Sequence, residues 1–262
     1  MRRFALLLVT ALLLASVAVT ASPASTLARA QGTAIPAATR IANARSGYVG
    51  VAAYSLNSGA TYVFQSTRAF AMYSTVKVPI LLTVLDRAVR QRRSLSSWEQ
   101  SRISSMIRVS DNSAASALLA NVGGAGAVES YLRRIGISQT HINPYHWGLS
   151  TTTAQDMARL MAKLGTCSLL VPRMCDYALS TMRSVVSSQR WGISASVPAG
   201  SSVAIKNGWY PASSGWGINS IGFVTNGRKR YAIAIYTSND PSMGYGIQTV
   251  QQIASLIYPA LP

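Results

Sequence analysis

The stretch from Met72 to Leu85 constrains the fold of this chain more than any other. Its second half is apolar on almost every side, which is typical of a helix that is buried all round. Pro79 fits such a helix only near its first turn, where the backbone N–H has no partner. We therefore expect the helix to begin close to Ser74, which places Ser74 and Lys77, three residues apart, on one face.

The Ser74–Lys77 pair has the chemistry of an activated nucleophile. A serine hydroxyl needs an adjacent base to become nucleophilic, and a lysine in an apolar site loses solvation of its charged form, so its pKa falls and it can accept that proton. The alternative is that Ser74 only caps a core helix while Lys77 reaches solvent. Because S-x-x-K is frequent by chance, the pair alone does not decide between them.

Strand-like segments lie at both ends of the chain, and helix-like segments lie between them. The predicted strands are 47–55, 61–65, 203–206, 217–224 and 230–236. Besides the buried helix, the predicted helices are 37–46, 98–108, 112–121, 126–135, 153–164, 175–186 and 244–258. This order predicts an α+β fold. A five-stranded antiparallel sheet is built from both chain ends and flanked by helices, and an all-helical lobe is inserted at about 95–190.

The N-terminus has the pattern of a secretory signal peptide. Two arginines precede an apolar run from Phe4 to Ala21, and small residues close the segment. Cleavage is expected after Ala21 or Ala30, which leaves one domain over 31–262 and predicts a secreted or cell-envelope protein. A retained membrane anchor is the alternative, although the run is short for a spanning helix.

The chain is strongly basic, with a formal net charge of +17. Such an excess predicts an anionic neighbourhood, such as cell-wall polymer or a membrane surface. A solvated basic surface without a specific partner is the simpler alternative. Nucleic acid is not expected, because the arginines are scattered, no basic stripe carries aromatics, and the chain is predicted to be exported.

Cys167 and Cys175 are the two cysteines of the chain. In an oxidising compartment a pair eight residues apart predicts a local disulfide, and two free thiols are the alternative. No metal site is predicted, because the pair forms no C-x-x-C motif and has no close histidine.

Two further motifs follow S-x-x-K along the chain. Ser110-Asp111-Asn112 lies between two predicted helices, and Lys206-Asn207-Gly208 ends a predicted strand. The ordered set S-x-x-K, S-D-N and K-N-G resembles the signature of class A β-lactamases and penicillin-binding proteins, whose third motif is K-T-G. From about residue 47 to the C-terminus, the chain is similar to class A β-lactamase-like serine hydrolases, and most of all to their secreted serine hydrolase subgroup.

The resemblance implies a role for each matched residue. Ser74 would be the acyl-forming nucleophile and Lys77 its base, Ser110 would pass the proton to the leaving nitrogen, and Lys206 would attract a substrate carboxylate. The residues implied in substrate binding are Asn112, Asn207, Gly208 and Trp209. Backbone N–H groups of Ser74 and Trp209 would form the oxyanion hole. The expected protein is a monomer without cofactor or metal that takes a small-molecule or peptidoglycan-derived acyl substrate.

The chain departs from this family at the step that releases the acyl group. Class A β-lactamases activate water with an omega-loop glutamate, but no Asp or Glu lies between Glu129 and Asp156. The loop instead offers His141, Asn143 and His146. A histidine is a base near neutral pH, and the alternative is that both are ordinary loop histidines. Slow or absent β-lactam hydrolysis is expected.

Three functions remain open from the sequence. One is a secreted serine acyl hydrolase with weak or no β-lactamase activity. Another is a penicillin-binding peptidase of the D-Ala-D-Ala type that acts on peptidoglycan and releases its acyl group slowly. The last is a cell-wall-binding module without turnover. The complete set of nucleophile and lysines favours an enzyme.

Overall fold

The structure, a computed structural model, describes residues 35–227 and 229–261. Its helices are α1 (Pro36–Ala44), α2 (Lys77–Arg90), α3 (Ser97–Arg108), α4 (Asn112–Val122), α5 (Gly124–Arg134), α6 (Ala154–Gly165), α7 (Pro172–Arg183) and α8 (Met243–Ala260). Its strands are β1 (Tyr48–Ser55), β2 (Thr61–Phe64), β3 (Ala69–Ala71), β4 (Thr151–Thr153), β5 (Ser202–Ala212), β6 (Gly215–Asn226) and β7 (Lys229–Ser238). The signal peptide predicted over 1–30 lies outside the described residues. Among the helices of the described residues, none combines the length and hydropathy needed to cross a bilayer.

Five of the strands form one antiparallel sheet in the order β2-β1-β7-β6-β5. The sheet joins the two ends of the chain, because β1 pairs with β7, with Ala52 opposite Ala234. On β6, Phe223 contacts α6 and Ile218 contacts α8. The two residues are five apart, so they point to opposite faces and the sheet has a helix on each side. The predicted α+β architecture is confirmed.

The inserted region differs from the prediction in one helix. The range 95–190 was expected to be a helical lobe throughout, but α6 packs on β7 and β1. Gly165 in α6 lies so close to the Phe223 ring that a Cβ at this position would approach it to 2.4 Å. The lobe is built from α2, α3, α4, α5 and α7, with α7 also touching β5.

The buried helix α2 is the centre of this lobe. Every residue from Val78 to Leu85 is buried, as its apolar composition predicts. The α-helix begins at Lys77, three residues later than predicted, because Tyr73–Val76 form a 3-10 turn that leads directly into it. Pro79 is the third residue of α2, where its missing N–H costs no intrahelical hydrogen bond.

The short strands β3 and β4 pair with each other and were not predicted. Phe70 lies opposite Thr152 in this two-stranded sheet. Three-residue strands carry too little periodicity to be recognised in a sequence. Their pairing matters for the site, because it ties the segment before Ser74 to the end of the loop over 136–150, and Met72 N donates to Ser150 O at 2.7 Å.

The predicted disulfide between Cys167 and Cys175 is confirmed. The two Cα atoms are 5.5 Å apart, within the usual range for this bond. The bond joins the end of α6 to the first turn of α7, on the lobe side of the sheet.

Replacing both cysteines by alanine is expected to lower stability without loss of activity. A loop of this length should lose about 2.5 kcal/mol of unfolding free energy when the bond is removed, which corresponds to a melting temperature lower by about 5–10 °C. Thermal melts of the wild type with and without reductant, and of the double variant, measure this shift. A wild type whose melting is unchanged by reductant contradicts the prediction.

Candidate active site

Ser74 lies on the 3-10 turn, which side chains fasten to the sheet. Thr75 Oγ1 donates to Met72 O at 2.6 Å and lies 2.9 Å from the Tyr236 hydroxyl of β7. Asn219 of β6 donates from Nδ2 to Met72 O at 3.2 Å. These buried hydrogen bonds hold the turn in place before any ligand arrives, which is what a nucleophile requires.

Lys77 is fully buried, and its amino group is surrounded by oxygen atoms. Its Nζ donates to Ser74 Oγ at 3.0 Å, to Ser110 Oγ at 3.0 Å and O at 2.6 Å, and to Asn112 Oδ1 at 2.7 Å. Burial removes water from the ammonium group and lowers the Lys77 pKa to about 8, and the negative charge of Asp111 opposes this shift. A neutral amine is therefore accessible near physiological pH, so Lys77 can act as a base.

The loop that carries Ser110 is held in a strained backbone conformation. Ser110 has φ +61°, in the left-handed region that few non-glycine residues adopt. The next residue, Asp111, caps α4 by accepting a hydrogen bond from Ala114 N at 2.6 Å. The cap holds the following Asn112 at the first position of α4, with its amide oxygen on Lys77.

Lys206 completes a continuous set of polar contacts. Its Nζ donates to Ser110 Oγ at 2.9 Å and to Asn207 O at 3.0 Å. Complete burial, and next the positive charge of Lys77, lower the pKa of Lys206 well below its usual value. The structure thus brings together the four residues predicted to be catalytic from a turn, a helix, a loop and a strand.

Two backbone N–H groups face the place where a substrate carbonyl would sit. A Cβ on Gly208 would lie 2.9 Å from Ser74 N, so glycine permits the close approach of β5 to the turn. Trp209 of β5 lies opposite Ile218 of β6. The Ile218 N–H points away from β5, because it donates to Thr237 Oγ1 of β7 at 3.1 Å. Since backbone groups of one residue point to the same side of an antiparallel strand, Trp209 N–H points away from β6. Each such donor is worth about 3 kcal/mol in a transition state.

Ser74 opens into a cleft with a volume of about 340 Å³. The lining residues are Tyr73, Ser74, Asn112, Tyr145, His146, Trp147, Gly148, Leu149, Trp209 and Tyr210. The rings of Tyr73 and Tyr210 are stacked, with centroids 5.7 Å apart. Among the described residues, no cluster of three or more His, Cys, Asp or Glu side chains is placed to hold a metal ion.

A match to a known protein family identifies the family of this chain. The β-lactamase enzyme family matches residues 34–103 and 100–261. The chain belongs to the β-lactamase enzyme family. It is a serine hydrolase of the β-lactamase superfamily, as the three ordered motifs predict.

Solved structures with a similar fold include penicillin-binding and β-lactamase proteins. The structure titled PBP-A is 22% identical with a TM-score of 0.79, covering 88% of this chain and 97% of that chain. A β-lactamase from Chitinophaga pinensis DSM 2588 is 21% identical with a TM-score of 0.79, covering 86% and 98%. A class A β-lactamase from Mycobacterium abscessus is 23% identical with a TM-score of 0.76, covering 85% and 97%. At these identities the likeness establishes the fold.

Asn207 does not face the cleft of this β-lactamase family member, in contrast to the expectation from its motif. Its Nδ2 donates to Gln189 O at 3.0 Å and Trp191 O at 3.1 Å, and its Oδ1 accepts from Ser220 Oγ at 2.7 Å. The amide therefore fixes the segment over 187–195 against the sheet. Through this segment the Asn207 amide positions the Trp191 ring, which packs edge-on against the Trp209 ring with the two centroids 5.7 Å apart.

The carboxylates on either side of the loop over 136–150 anchor its backbone. Glu129 Oε1 accepts from Ile142 N at 2.7 Å, and Asp156 Oδ2 accepts from Gln139 N at 2.8 Å. Within the loop, Asn143 Oδ1 accepts from the backbone N–H groups that follow it. All three oxygen-bearing side chains thus serve loop structure.

A tryptophan of this loop lies beside the base. The centroid of the Trp147 ring is 5.2 Å from Lys77 Nζ, and its Nε1 donates to Ser116 Oγ on α4 at 3.0 Å. His146 lines the cleft next to it, whereas His141 pairs with Thr151 through its backbone and is exposed. Sequence reasoning missed Trp147, because a single aromatic residue in an irregular loop gives no pattern.

Proposed function

We propose that this protein is an exported serine acyl hydrolase that forms an acyl-enzyme at Ser74 with amide or cyclic amide substrates and releases it slowly. The observation that carries the proposal is a continuous series of hydrogen bonds between the four side chains. It runs from Ser74 Oγ to Lys77 Nζ, on to Ser110 Oγ and then to Lys206 Nζ, and each contact is 2.9 to 3.0 Å long. Nucleophile, base and proton relay are all within hydrogen-bond reach.

The acylation step follows from these contacts. Neutral Lys77 takes the proton of Ser74 as Oγ attacks the substrate carbonyl carbon, and the oxygen gains negative charge between the N–H groups of Ser74 and Trp209. Ser110 then passes the proton to the leaving nitrogen as the C–N bond breaks. The products of this step are a serine ester and an amine, which leaves when the amide is open-chain and stays attached to the acyl group when the amide is cyclic; water later hydrolyses the ester.

Slow release is supported by what surrounds Lys77. Its hydrogen-bonding partners are hydroxyl, carbonyl and amide oxygens, and the centroid of the Trp147 ring lies 5.2 Å from its Nζ. A ring has no lone pair with which to activate water. Persistence of the acyl group favours penicillin-binding behaviour over fast β-lactamase turnover. A silent binding module is disfavoured, since two buried lysines that share one hydroxyl are costly to keep without chemistry.

Export is supported by two independent features. The disulfide between Cys167 and Cys175 is of the kind that persists in oxidising compartments. The basic and apolar start of the chain has the signal peptide pattern described above.

Intact mass spectrometry after mixing with benzylpenicillin tests the proposal. The expected result is an adduct of the drug's mass on the wild type and on Ser101→Ala, an exposed serine of α3 that serves as the matched control. Ser74→Ala should give no adduct. An adduct retained in Ser74→Ala contradicts the nucleophile, and a wild type that reacts neither with benzylpenicillin nor with an aryl ester contradicts the activity.

A further inference from the structure

The amide of the third motif, Asn207, is not free to bind a substrate carboxylate. The two hydrogens of the Asn207 amide are both donated to backbone carbonyls, and its oxygen accepts from Ser220. The side chain is 2% exposed. Turning it toward a ligand would leave these buried groups unpaired, which is unfavourable.

The lysine of the same motif, Lys206, is also buried away from the cleft. Lys206 is 0% exposed, and its Nζ is already directed at Ser110 Oγ and Asn207 O. The facing strand β6 has no lysine or arginine in its sequence. The residues that line the cleft include neither of these types. The excess of lysine and arginine in the chain is therefore not matched by such side chains on the wall of the cleft.

Aromatic rings take the place of charges on this wall. Tyr73 is held between the Tyr210 ring, stacked at 5.7 Å, and the backbone of Gly217, where a Cβ would approach the Tyr73 ring to 2.4 Å. Its backbone has φ +48°, so the residue is fixed in an unusual conformation. Tyr210 is 50% exposed and presents its ring to the cleft, and Trp209 lies beside it.

We infer that the Ser74 site takes neutral acyl substrates that carry an aromatic group, namely aromatic amides and esters without a carboxylate. Rigid rings recognise flat apolar groups at little entropic cost, while a carboxylate in this cleft would lose hydration and find no lysine or arginine among the lining residues to pair with. The inference rests on the proposed function of Ser74 and adds its substrate class. The covalent step is unchanged: the Ser74 Oγ–acyl bond forms, the bond to the leaving nitrogen or oxygen breaks, and the leaving group receives the serine proton.

Benzylpenicillin and its methyl ester provide a matched test. The two compounds share the reactive ring and the phenylacetyl group, and they differ only in the carboxylate. Acylation rate constants are measured by intact mass and divided by the alkaline hydrolysis rate of each compound, which removes differences in intrinsic reactivity. We expect the ester to acylate Ser74 at least as fast as the acid. A faster reaction of the acid overturns the inference. Failure of both compounds, and of an aryl ester, would instead overturn the proposed function.

The aromatic wall is tested by removing one ring from it. Tyr210→Ala should lower the rate of acylation by the methyl ester about tenfold, because a stacked aromatic contact of about 1.4 kcal/mol is lost. Tyr48→Ala is the matched control, since Tyr48 is 42% exposed on β1 and outside the cleft. Equal rates in the two variants overturn the role of the aromatic wall, and circular dichroism confirms that both are folded.

Discussion

Lys77→Met is expected to slow the acylation of Ser74 about 10³-fold while the nucleophile itself stays in place. Methionine is unbranched and of similar volume, ends one atom short of the lysine Nζ, and has no amine to take the Ser74 proton. General-base catalysis of this kind contributes about 10²- to 10⁴-fold. The measurement is the rate of adduct formation by intact mass. Lys163→Met, on α6 outside the cleft, is the matched control for loss of one lysine.

The pH dependence of the same reaction identifies the base independently. Burial lowers the Lys77 pKa to about 8, so the neutral amine is a minor form at pH 7 and the major form at pH 9. The wild-type acylation rate should therefore rise about tenfold between these values and then level off. Lys77→Met should lose this rise. A wild-type rate that is flat or falls over this range contradicts the assignment of Lys77 as the base.

Trp147→Glu is expected to shorten the life of the acyl-enzyme about 10²-fold. The Trp147 ring lies 5.2 Å from Lys77 Nζ, so a carboxylate at this position would be near both the lysine and the Ser74 ester. A carboxylate there can take a proton from the attacking water, a contribution of about 10²-fold or more. The measurement is the decay of the benzylpenicilloyl adduct after excess drug is removed.

Trp147→Gln is the control for Trp147→Glu, because glutamine has nearly the same size as glutamate but no basic oxygen. It separates the supply of a base from the opening of space for water. Both variants lose the hydrogen bond from Trp147 Nε1 to Ser116 Oγ, so the melting temperature of each is expected to be a few degrees below that of the wild type. An adduct as long-lived in Trp147→Glu as in the wild type contradicts the prediction. His146→Ala tests whether this neighbour supplies the residual release, since its loss should then lengthen the adduct life further.

The proposed nucleophile and relay were found from the sequence because their spacing is local or their order is informative. Ser74 and Lys77 are one helical turn apart, so any helix start near them places them together. Ser110 and Lys206 are far away in the chain, and only the ordered set of three motifs linked them to Ser74. The alternation of apolar and turn-forming segments at both chain ends was sufficient for the five strands, because periodicity is a local signal.

Other features depended on contacts between distant segments. The K-N-G motif predicted an amide facing the substrate, but Asn207 is turned toward the backbone of Gln189 and Trp191, a segment whose place no local pattern determines. The short strands β3 and β4 form only because the loop over 136–150 returns to the segment before Ser74. Helix α6 has a clear helical sequence, yet its packing on the sheet instead of the lobe is decided by where the sheet lies.

The sequence by itself determined which residues are able to carry the chemistry, and the tertiary structure decided what surrounds them. Residue identity and local periodicity set the motifs, the helices, the strands and the cysteine pair. The position of Trp147 beside Lys77 and the withdrawal of Lys206 from solvent were decided by long-range packing. The reason is physical: intrinsic propensities act over a few residues, whereas burial, desolvation and hydrogen-bond partners depend on every segment that meets at the site.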